Sequence, residues 1–105
     1  MNRQIKKYTN QIKSKADILK TDYKVKSLGI FGSLVRNEYT EKSDIDILVE
    51  FNESVGFFLY SDLKYFLNEI LSHRVDLITK KALDRNQNRC PGMKEQVTRE
   101  VIPVL

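Results

Sequence analysis

Residues 43–51, SDIDILVEF, place two aspartates one residue apart at the start of an otherwise apolar run. The β-branched and aromatic residues of that run predict a strand over Ile45–Phe51. Because side chains at positions i and i+2 of a strand point to the same face, Asp44 and Asp46 are expected side by side. Two carboxylates about 5 Å apart repel by about 3 kcal/mol at an effective dielectric of about 20. Something in the folded protein must therefore offset this repulsion, unless the pair lies at a solvated strand end.

A divalent cation with a preference for oxygen ligands would offset it. Mg²⁺ takes one or two carboxylates and leaves its other positions to water and phosphate oxygens. A third carboxylate, Asp76, lies in another short apolar strand, at residues 74–79. One helix connects the two strands, so they are expected to be neighbours. Three converging aspartates would suit two metal ions, the arrangement that activates an attacking oxygen and stabilises a leaving oxygen in phosphoryl-type transfer.

The Gly32-Ser33 pair precedes the aspartates and follows a predicted strand at residues 23–31. Ser33 is expected to cap a short helix through Asn37, so that backbone N–H groups and a hydroxyl point towards an anion. Arg36 could add its guanidinium to the same phosphates. Gly-Ser pairs also fill ordinary turns, and this one gains its weight from the aspartates eleven and thirteen residues beyond Ser33.

The remaining periodicity predicts a mixed α/β (α+β) fold in which helices pack on a small mixed sheet. The predicted elements are a helix at residues 2–20, the strand at 23–31, the short helix, the strand Ile45–Phe51, a loop at 52–56, a helix at Phe57–Leu71, the strand at 74–79, one helical turn, a break at Pro91-Gly92, and a helix to about Val101.

Composition limits the classes of protein to consider. A chain of 105 residues that is 41% hydrophobic suits one domain, spanning residues 1–105. No apolar run is long enough to cross a membrane, and the N-terminus lacks a secretory signal, so we expect a cytoplasmic protein. The single cysteine, Cys90, suggests neither a disulfide nor a zinc site.

The charge is divided unevenly along the chain. Residues 1–28 carry eight basic against two acidic side chains, residues 29–78 carry four against nine, and residues 79–105 carry six against three. The basic ends could bind an anion around an acidic centre, although lysines on solvated helix faces give the same count.

Gly32-Ser33, Arg36 and Ser43-Asp44-Ile45-Asp46 together resemble the Gly-Ser and Asp-x-Asp signature of the DNA-polymerase-β-type nucleotidyltransferases. The sequence of residues 32–51 and the later segment RVDLIT are similar to those of the minimal nucleotidyltransferase (MNT) branch. The resemblance runs from about Lys26 to Leu83. It implies an α/β mixed sheet. It also implies that Gly32 and Ser33 hold nucleotide phosphates and that the three aspartates bind Mg²⁺.

Many proteins of the MNT branch are antitoxins paired with an all-helical HEPN ribonuclease toxin, and some transfer AMP from ATP to a toxin tyrosine. The resemblance therefore implies a type VII-like antitoxin with Mg²⁺, ATP and a HEPN toxin as its cofactor, substrate and partner. Family members commonly read Gly-Ser-x-Ala-Arg-Gly, whereas this chain has Val35 and Asn37 around Arg36. Asn37 can adopt the left-handed conformation that a turn requires. The polar segment RNQNRCPGM also interrupts the expected C-terminal helix.

Three hypotheses follow. In the first, the protein is an adenylyltransferase in which Asp44 and Asp46 bind two Mg²⁺ ions and Asp76 completes the site and helps deprotonate the acceptor hydroxyl. Since 105 residues leave little room for an acceptor domain, a separate protein would present that hydroxyl. In the second, a catalytically weak nucleotide-binding module neutralises a HEPN ribonuclease by covering it.

The third hypothesis, direct RNA binding by the basic ends, is the weakest, because they lack the interleaved aromatic side chains of a stacking platform. An oligomer is compatible with all three. His73 is expected at the surface or at a helix C-cap. Phe57 and Phe58 are expected to be buried, or else to form an apolar patch for a partner.

Overall fold

The computed structural model describes residues 2–85 and 91–105 and shows helices packed on both faces of a four-stranded sheet. The predicted mixed α/β fold is therefore confirmed. The elements are α1 (Arg3–Lys13), α2 (Ala16–Thr21), β1 (Val25–Phe31), a 3₁₀ turn (Gly32–Leu34), β2 (Ile45–Phe51), α3 (Phe57–Leu71), β3 (Val75–Thr79), α4 (Lys80–Arg85), α5 (Met93–Glu100) and β4 (Ile102–Pro103).

The strand order is β3-β2-β1-β4. Strand β1 pairs antiparallel with β2 on one side and with β4 on the other. Strands β2 and β3 are parallel and are joined by α3, as the crossover argument predicts. The register places Asp46 directly opposite Asp76.

Two apolar clusters lie on opposite faces of the sheet. The larger is formed by α1, α2 and α3 against the inward side chains of β1, β2 and β3. It includes the isoleucines Ile45 and Ile47, which are fully buried, as their alternation with the aspartates predicts. The smaller cluster lies under α4 and α5 and contains Phe31, Leu83 and Val97.

Two helix and turn predictions are wrong in detail. The single helix at residues 2–20 is two helices, separated at Ser14-Lys15, where the Ser14 hydroxyl donates to the Gln11 carbonyl at 2.7 Å. Such side-chain bonds to the backbone compete with helix continuation. Ser33 does not cap a helix through Asn37: one 3₁₀ turn forms there, with Phe31 as its N-cap residue and no side-chain cap.

The C-terminal helix agrees with its prediction. Helix α5 ends at Glu100, and Val101 is its extended C-cap residue. The chain then forms the two-residue strand β4 against β1, which nothing in the sequence indicated. Cys90 and most of the polar segment between α4 and α5 lie outside the described residues. Within the described ranges, no helix is both long and apolar enough to cross a bilayer.

Candidate active site

Asp46 and Asp76 lie side by side on neighbouring parallel strands. Both alternate with residues of the larger cluster, so both point to the opposite face of the sheet, the face that carries α4 and α5. Those helices cover Leu48 and Ile78, which lie two positions further along β2 and β3. The aspartates therefore lie on the same face, towards the uncovered beginnings of the two strands.

The pKa of Asp46 shows how the two carboxylates interact. Burial raises this pKa, repulsion from Asp76 and then from Asp44 raises it further, and a hydrogen bond with Asp76 adds to the effect, giving a pKa of about 6. Arg36 acts in the opposite direction but does not cancel the rise. The protein thus disfavours a negative charge on Asp46 when no cation is nearby.

Asp44 is near enough to raise the pKa of Asp46, but its own carboxylate already forms an ion pair with Arg74. Arg74 Nε donates to Asp44 Oδ1 at 2.6 Å, and both side chains are open to solvent. The pairing follows from the strand register, since Ile45 lies opposite Val75 and each has one of these residues just before it. In residues 2–85 and 91–105, no three His, Cys, Asp or Glu side chains are posed as a group that could enclose a metal ion.

The 3₁₀ turn lies directly against the Asp46 carboxylate. Gly32 has φ of +85°, a conformation that side chains other than hydrogen rarely allow. A Cβ atom at this position would overlap Asp46 Oδ2, so glycine is also required by space. A ligand that touches the turn would therefore touch Asp46 as well. Because the turn is so short, individual donor groups, and not a helix dipole, would hold an anion there.

Two asparagines, Asn2 and Asn37, support the 3₁₀ turn and the residues that follow it. Asn37 has φ of +60°, the left-handed conformation expected of it. Its side-chain oxygen accepts from Asn2 Nδ2 at 2.9 Å, and the same Nδ2 donates to the Leu34 carbonyl at 3.2 Å. The first residue before α1 therefore helps to fix the segment between β1 and β2.

Arg36 contacts two carboxylates. Its Nε donates to Glu38 at 3.1 Å, and its Nη1 donates to both oxygens of Glu100 at 2.9 Å and 3.0 Å. These hydrogen bonds raise the pKa of Arg36. The same Glu100 carboxylate accepts from the Gly32 N–H at 3.1 Å. Arg36 is thus close to the turn, as expected, but its guanidinium already has anionic partners.

His73 supports the segment that leads into β2. Its predicted place, at the surface or at the helix C-cap, is wrong: Ser72 is the C-cap residue of α3, and the His73 side chain is half-buried. One ring nitrogen, Nε2, lies 2.6 Å from the Ser43 carbonyl and 3.1 Å from the Tyr39 hydroxyl. Burial and a hydrogen bond with Tyr8 raise the pKa of Tyr39 to about 12, so this phenol remains protonated at neutral pH. The carbonyl just before Asp44 is therefore fixed by a side chain.

The chemistry of the donor set fits a divalent cation with oxygen ligands. Asp46 and Asp76 supply paired carboxylate oxygens whose repulsion a cation would relieve, and Asp44 could join them if its side chain left Arg74. Sequence reasoning did not identify Arg74, His73 or Glu100 as neighbours of this site. The strand register could have indicated Arg74, because it precedes the strand that pairs with β2. No sequence signal places Glu100 beside Gly32.

Comparison with known proteins identifies the family. Residues 12–104 match the family model described as "Nucleotidyltransferase domain". A Methanocaldococcus jannaschii protein named "Putative protein adenylyltransferase MJ0128" is 46% identical over 87 residues, covering 83% of this chain and 84% of its own length. "Protein adenylyltransferase MntA" of Thermococcus cleftensis is 38% identical over 86 residues, covering 82% and 81%.

Solved structures share the fold. One described as a "putative minimal nucleotidyltransferase" has a TM-score of 0.67 and 31% identity, covering 90% of this chain and 94% of that one. A second, of the tri-AMPylated Shewanella oneidensis HEPN toxin in complex with MNT antitoxin, matches with a TM-score of 0.55 and 22% identity over 90% and 71% of the two chains. The family as a whole uses a nucleoside triphosphate and a divalent metal ion. The chain belongs to the minimal nucleotidyltransferase family and is by homology a protein adenylyltransferase.

Proposed function

We propose that this protein transfers AMP from Mg·ATP to a hydroxyl group, a tyrosine in the first instance, of a partner HEPN toxin, and so acts as an antitoxin. The observation that carries the proposal is the contact between the Gly32 turn and Asp46, with Asp76 beside Asp46 on the next strand. A phosphate held at the turn would lie next to the carboxylates that bind the metal ion. The names of the adenylyltransferase relatives support the choice of AMP.

The residues of the chain have separate roles in this proposal. Asp46, Asp76 and Asp44 provide the oxygens that hold divalent metal, with two Mg²⁺ ions as the expected content. When bound, Mg²⁺ offsets the charge of the triphosphate and favours the departure of pyrophosphate. The backbone of the Gly32 turn and the Ser33 hydroxyl bind phosphate oxygens, and glycine allows their close approach.

The transfer step itself is a substitution at the α-phosphorus atom. The acceptor oxygen forms a bond to that phosphorus, and the bond from phosphorus to the bridging oxygen of the β-phosphate breaks, with its electron pair leaving on pyrophosphate. The hydroxyl proton passes to a carboxylate, for which we propose Asp76, since it is the most exposed of the three aspartates.

The partner is inferred from the structural neighbours. The antitoxin with the same fold is found in complex with a tri-AMPylated HEPN toxin, so a HEPN protein is the first acceptor to test. We propose that residues 1–105 act as one domain and that the reaction takes place in the cytoplasm, where ATP is abundant. We do not propose a membrane or RNA partner.

The proposal is tested by incubating the protein with a HEPN toxin and ATP labelled in the α-phosphate. We expect label on the toxin with wild type and loss of at least about 100-fold with Asp46→Asn or Asp76→Asn, because each removes a metal ligand. Asp62→Asn, an exposed aspartate on α3, is the matched control and should label normally. Equal labelling by Asp46→Asn, or none by wild type, would refute the transferase proposal.

A second candidate function is neutralisation by binding alone. Two observations favour it: Asp44 is paired with Arg74, and Glu100 accepts hydrogen bonds from Arg36 and from the Gly32 N–H, so these groups already have partners within the chain. A triple Asp44→Asn, Asp46→Asn, Asp76→Asn protein separates the two functions. If it still inhibits the toxin in an RNA-cleavage assay, binding is sufficient; if inhibition is lost while the complex still forms, AMP transfer is required.

A further inference from the structure

The Glu100 carboxylate, at the end of α5, is hydrogen-bonded to the turn that follows β1. One of its oxygens, Oε1, accepts from the Gly32 N–H at 3.1 Å and from Arg36 Nη1 at 2.9 Å. The second oxygen accepts from the same Nη1 at 3.0 Å. The Glu100 side chain is only 13% exposed. A charged group this deeply buried is stable only with its partners in place.

The backbone around Glu100 is anchored on both sides. Val97, one helical turn earlier, is buried against Phe31 and Leu83 in the smaller apolar cluster. Ile102, two residues later, pairs with Ile30 of β1. The end of α5 is therefore fixed against the strand that leads directly into the Gly32 turn.

The close approach of this segment to β1 also depends on a glycine. A Cβ atom at Gly29 would overlap Val101 Cγ2 and would lie 3.2 Å from the Ile102 carbonyl oxygen. The segment directly after Glu100 thus lies in tight contact with β1. Small movements of α5 would be transmitted to the turn through Glu100.

Two roles for this carboxylate are conceivable, and they have opposite consequences. As an occupant of an anion site, it would leave when a phosphate arrives. As a support for the turn, it would stay, and the phosphate would use other donors. Departure would break the hydrogen bonds of Glu100 with Gly32 and Arg36 and would require movement of a side chain whose backbone is anchored on both sides. Arg36 also bonds Glu38, so its positive charge is already offset by two carboxylates. Both facts favour the supporting role.

We propose that Glu100 is a positioning residue that fixes the Gly32 turn for nucleotide binding, and that Arg36 is its partner and not a phosphate ligand. The inference rests on the proposed function, because it concerns the same nucleotide site. It also gives α5 and β4 a role: they carry the residue that holds the phosphate-binding turn in place.

The first test measures the affinity of each variant for the nonhydrolysable ATP analogue AMP-PNP by calorimetry in excess Mg²⁺. We expect Glu100→Ala to weaken binding at least 10-fold. Glu100→Gln, which keeps an acceptor for the Gly32 N–H, should bind AMP-PNP about threefold more weakly than wild type. Glu95→Gln, an exposed glutamate on the same helix, is the matched control and should bind like wild type. Tighter binding by Glu100→Ala would show an occupant of the anion site, and unchanged binding would show no role; either result overturns the proposal.

A double-mutant cycle separates the two roles of Arg36. If Arg36 acts through Glu100, Arg36→Gln should weaken binding in the wild-type background and add less than twofold in the Glu100→Ala background. If Arg36 binds phosphate itself, its loss should weaken binding by the same factor in both backgrounds. The second result would overturn the assignment of Arg36.

Amide hydrogen exchange tests the support of the turn without any nucleotide. The Gly32 N–H should exchange at least 10-fold faster in Glu100→Ala than in wild type, while amides of β2 keep their protection. Unchanged exchange at Gly32 would overturn the inference. If the alanine variant does not fold, the exchange rate of the Gly32 N–H is measured in Glu100→Gln instead. If AMP-PNP binding responds to Glu100 but no AMP reaches a toxin, the proposed transfer fails and the role of Glu100 stands.

In AMP transfer, a positioning role predicts a split between the kinetic constants. Glu100→Gln should raise KM for ATP about threefold and change kcat by less than twofold, because the reacting groups on β2 and β3 are intact. A variant that lowers kcat with KM unchanged would contradict a role in nucleotide binding.

Discussion

Protonation of Asp46 makes the stability of the fold depend on pH. Its pKa is raised to about 6 by burial first and by the neighbouring carboxylates second, against a usual value of 3.8. Between these values the folded protein holds a proton that the unfolded chain has released. The favourable contribution of this group is therefore fully present below about pH 4 and is lost as the pH rises through about 6.

Asp46→Asn should remove this pH dependence. In the absence of metal, we expect the variant to be more stable than wild type by about 1 kcal/mol at pH 7.5, allowing for screening by solvent. The difference should shrink at pH 5 and vanish near pH 4. Urea unfolding at several pH values, with a chelator present, measures it. Asp62→Asn is the control, and a stability difference for Asp46→Asn that does not vary with pH would contradict this explanation.

Gly32 is the residue at which a single methyl group should do most damage. Gly32→Ala places a Cβ atom onto the Asp46 carboxylate and forces an alanine to φ of +85°. The backbone strain alone costs about 1–2 kcal/mol. We expect a loss of at least about 2 kcal/mol in unfolding free energy and no detectable AMP-PNP binding.

The matched control for this change is Gly56→Ala. Gly56 has φ of −80° and no atom within 4 Å of a Cβ at its position. The unfolding free energy of Gly56→Ala should differ from that of wild type by less than about 0.5 kcal/mol, and the variant should bind nucleotide normally. Equal effects of the two substitutions would show that the geometry of the turn is not the cause.

At the level of single residues, the sequence predicted what strand periodicity determines. Alternation predicted that Asp46 turns away from the buried isoleucines, and the single crossover helix predicted Asp76 on the next strand, where the register places it opposite Asp46. Whether these residues bind metal remains a prediction. Glu100 reaches Gly32 across a sequence separation of 68 residues. That contact depends on the packing of α5 against β1, and local patterns carry no information on it.

Helix α3 shows what an apolar pattern does and does not determine. Its predicted bounds, Phe57–Leu71, are confirmed. The buried residues Leu63, Leu67 and Leu71 recur at steps of four, but Phe58 precedes the first of them by five positions and points away from the sheet. Phe57 and Phe58 are 74% and 83% exposed, so of the two alternatives burial is wrong and an exposed apolar pair is what the structure shows.

Substitutions in α3 should therefore have very different effects. We expect Phe58→Ser to change the unfolding free energy by less than about 0.5 kcal/mol, because almost no buried contact is lost. Leu63→Ala, at a fully buried position, should cost about 2–5 kcal/mol. Urea unfolding of the two variants tests this contrast. A cost above about 2 kcal/mol for Phe58→Ser would mean that its side chain is buried in solution, by the protein itself or by a second copy.

Other elements were harder to predict because their limits are set by tertiary contacts. The break between α1 and α2 falls within a continuous apolar stripe, since Ile5, Tyr8, Ile12 and Leu19 are all buried in one cluster. Strand β4 is two residues long, too short for alternation to reveal it. It forms because Gly29 leaves room for the chain beside β1.

At the scale of the whole molecule, the two faces of the sheet have different tasks. One face is covered by α1, α2 and α3 and holds most of the buried apolar side chains. On the other, α4 and α5 cover only part of β2 and β3 and leave the carboxylates accessible. A charged site can form on this face because the larger cluster on the opposite face supplies most of the apolar burial that stabilises the fold.

Ligand binding should therefore stabilise the whole protein. At a concentration 100 times its dissociation constant, a ligand that binds only the folded state adds about 2.7 kcal/mol. For a domain of this size we expect Mg·AMP-PNP to raise Tm by about 10 °C. Either component alone should raise it less, because the carboxylates require a cation and the triphosphate requires an offset to its charge. Differential scanning fluorimetry at neutral pH measures these shifts.

The triple Asp→Asn protein at positions 44, 46 and 76 provides the control. It removes the paired carboxylates of β2 and β3 but leaves the Gly32 turn and its Glu100 contact unchanged. We expect a Tm shift below about 2 °C with Mg·AMP-PNP. A full shift in the triple variant would mean that nucleotide binding does not depend on the three aspartates, whether the nucleotide lies at the Gly32 turn or at the basic ends of the chain.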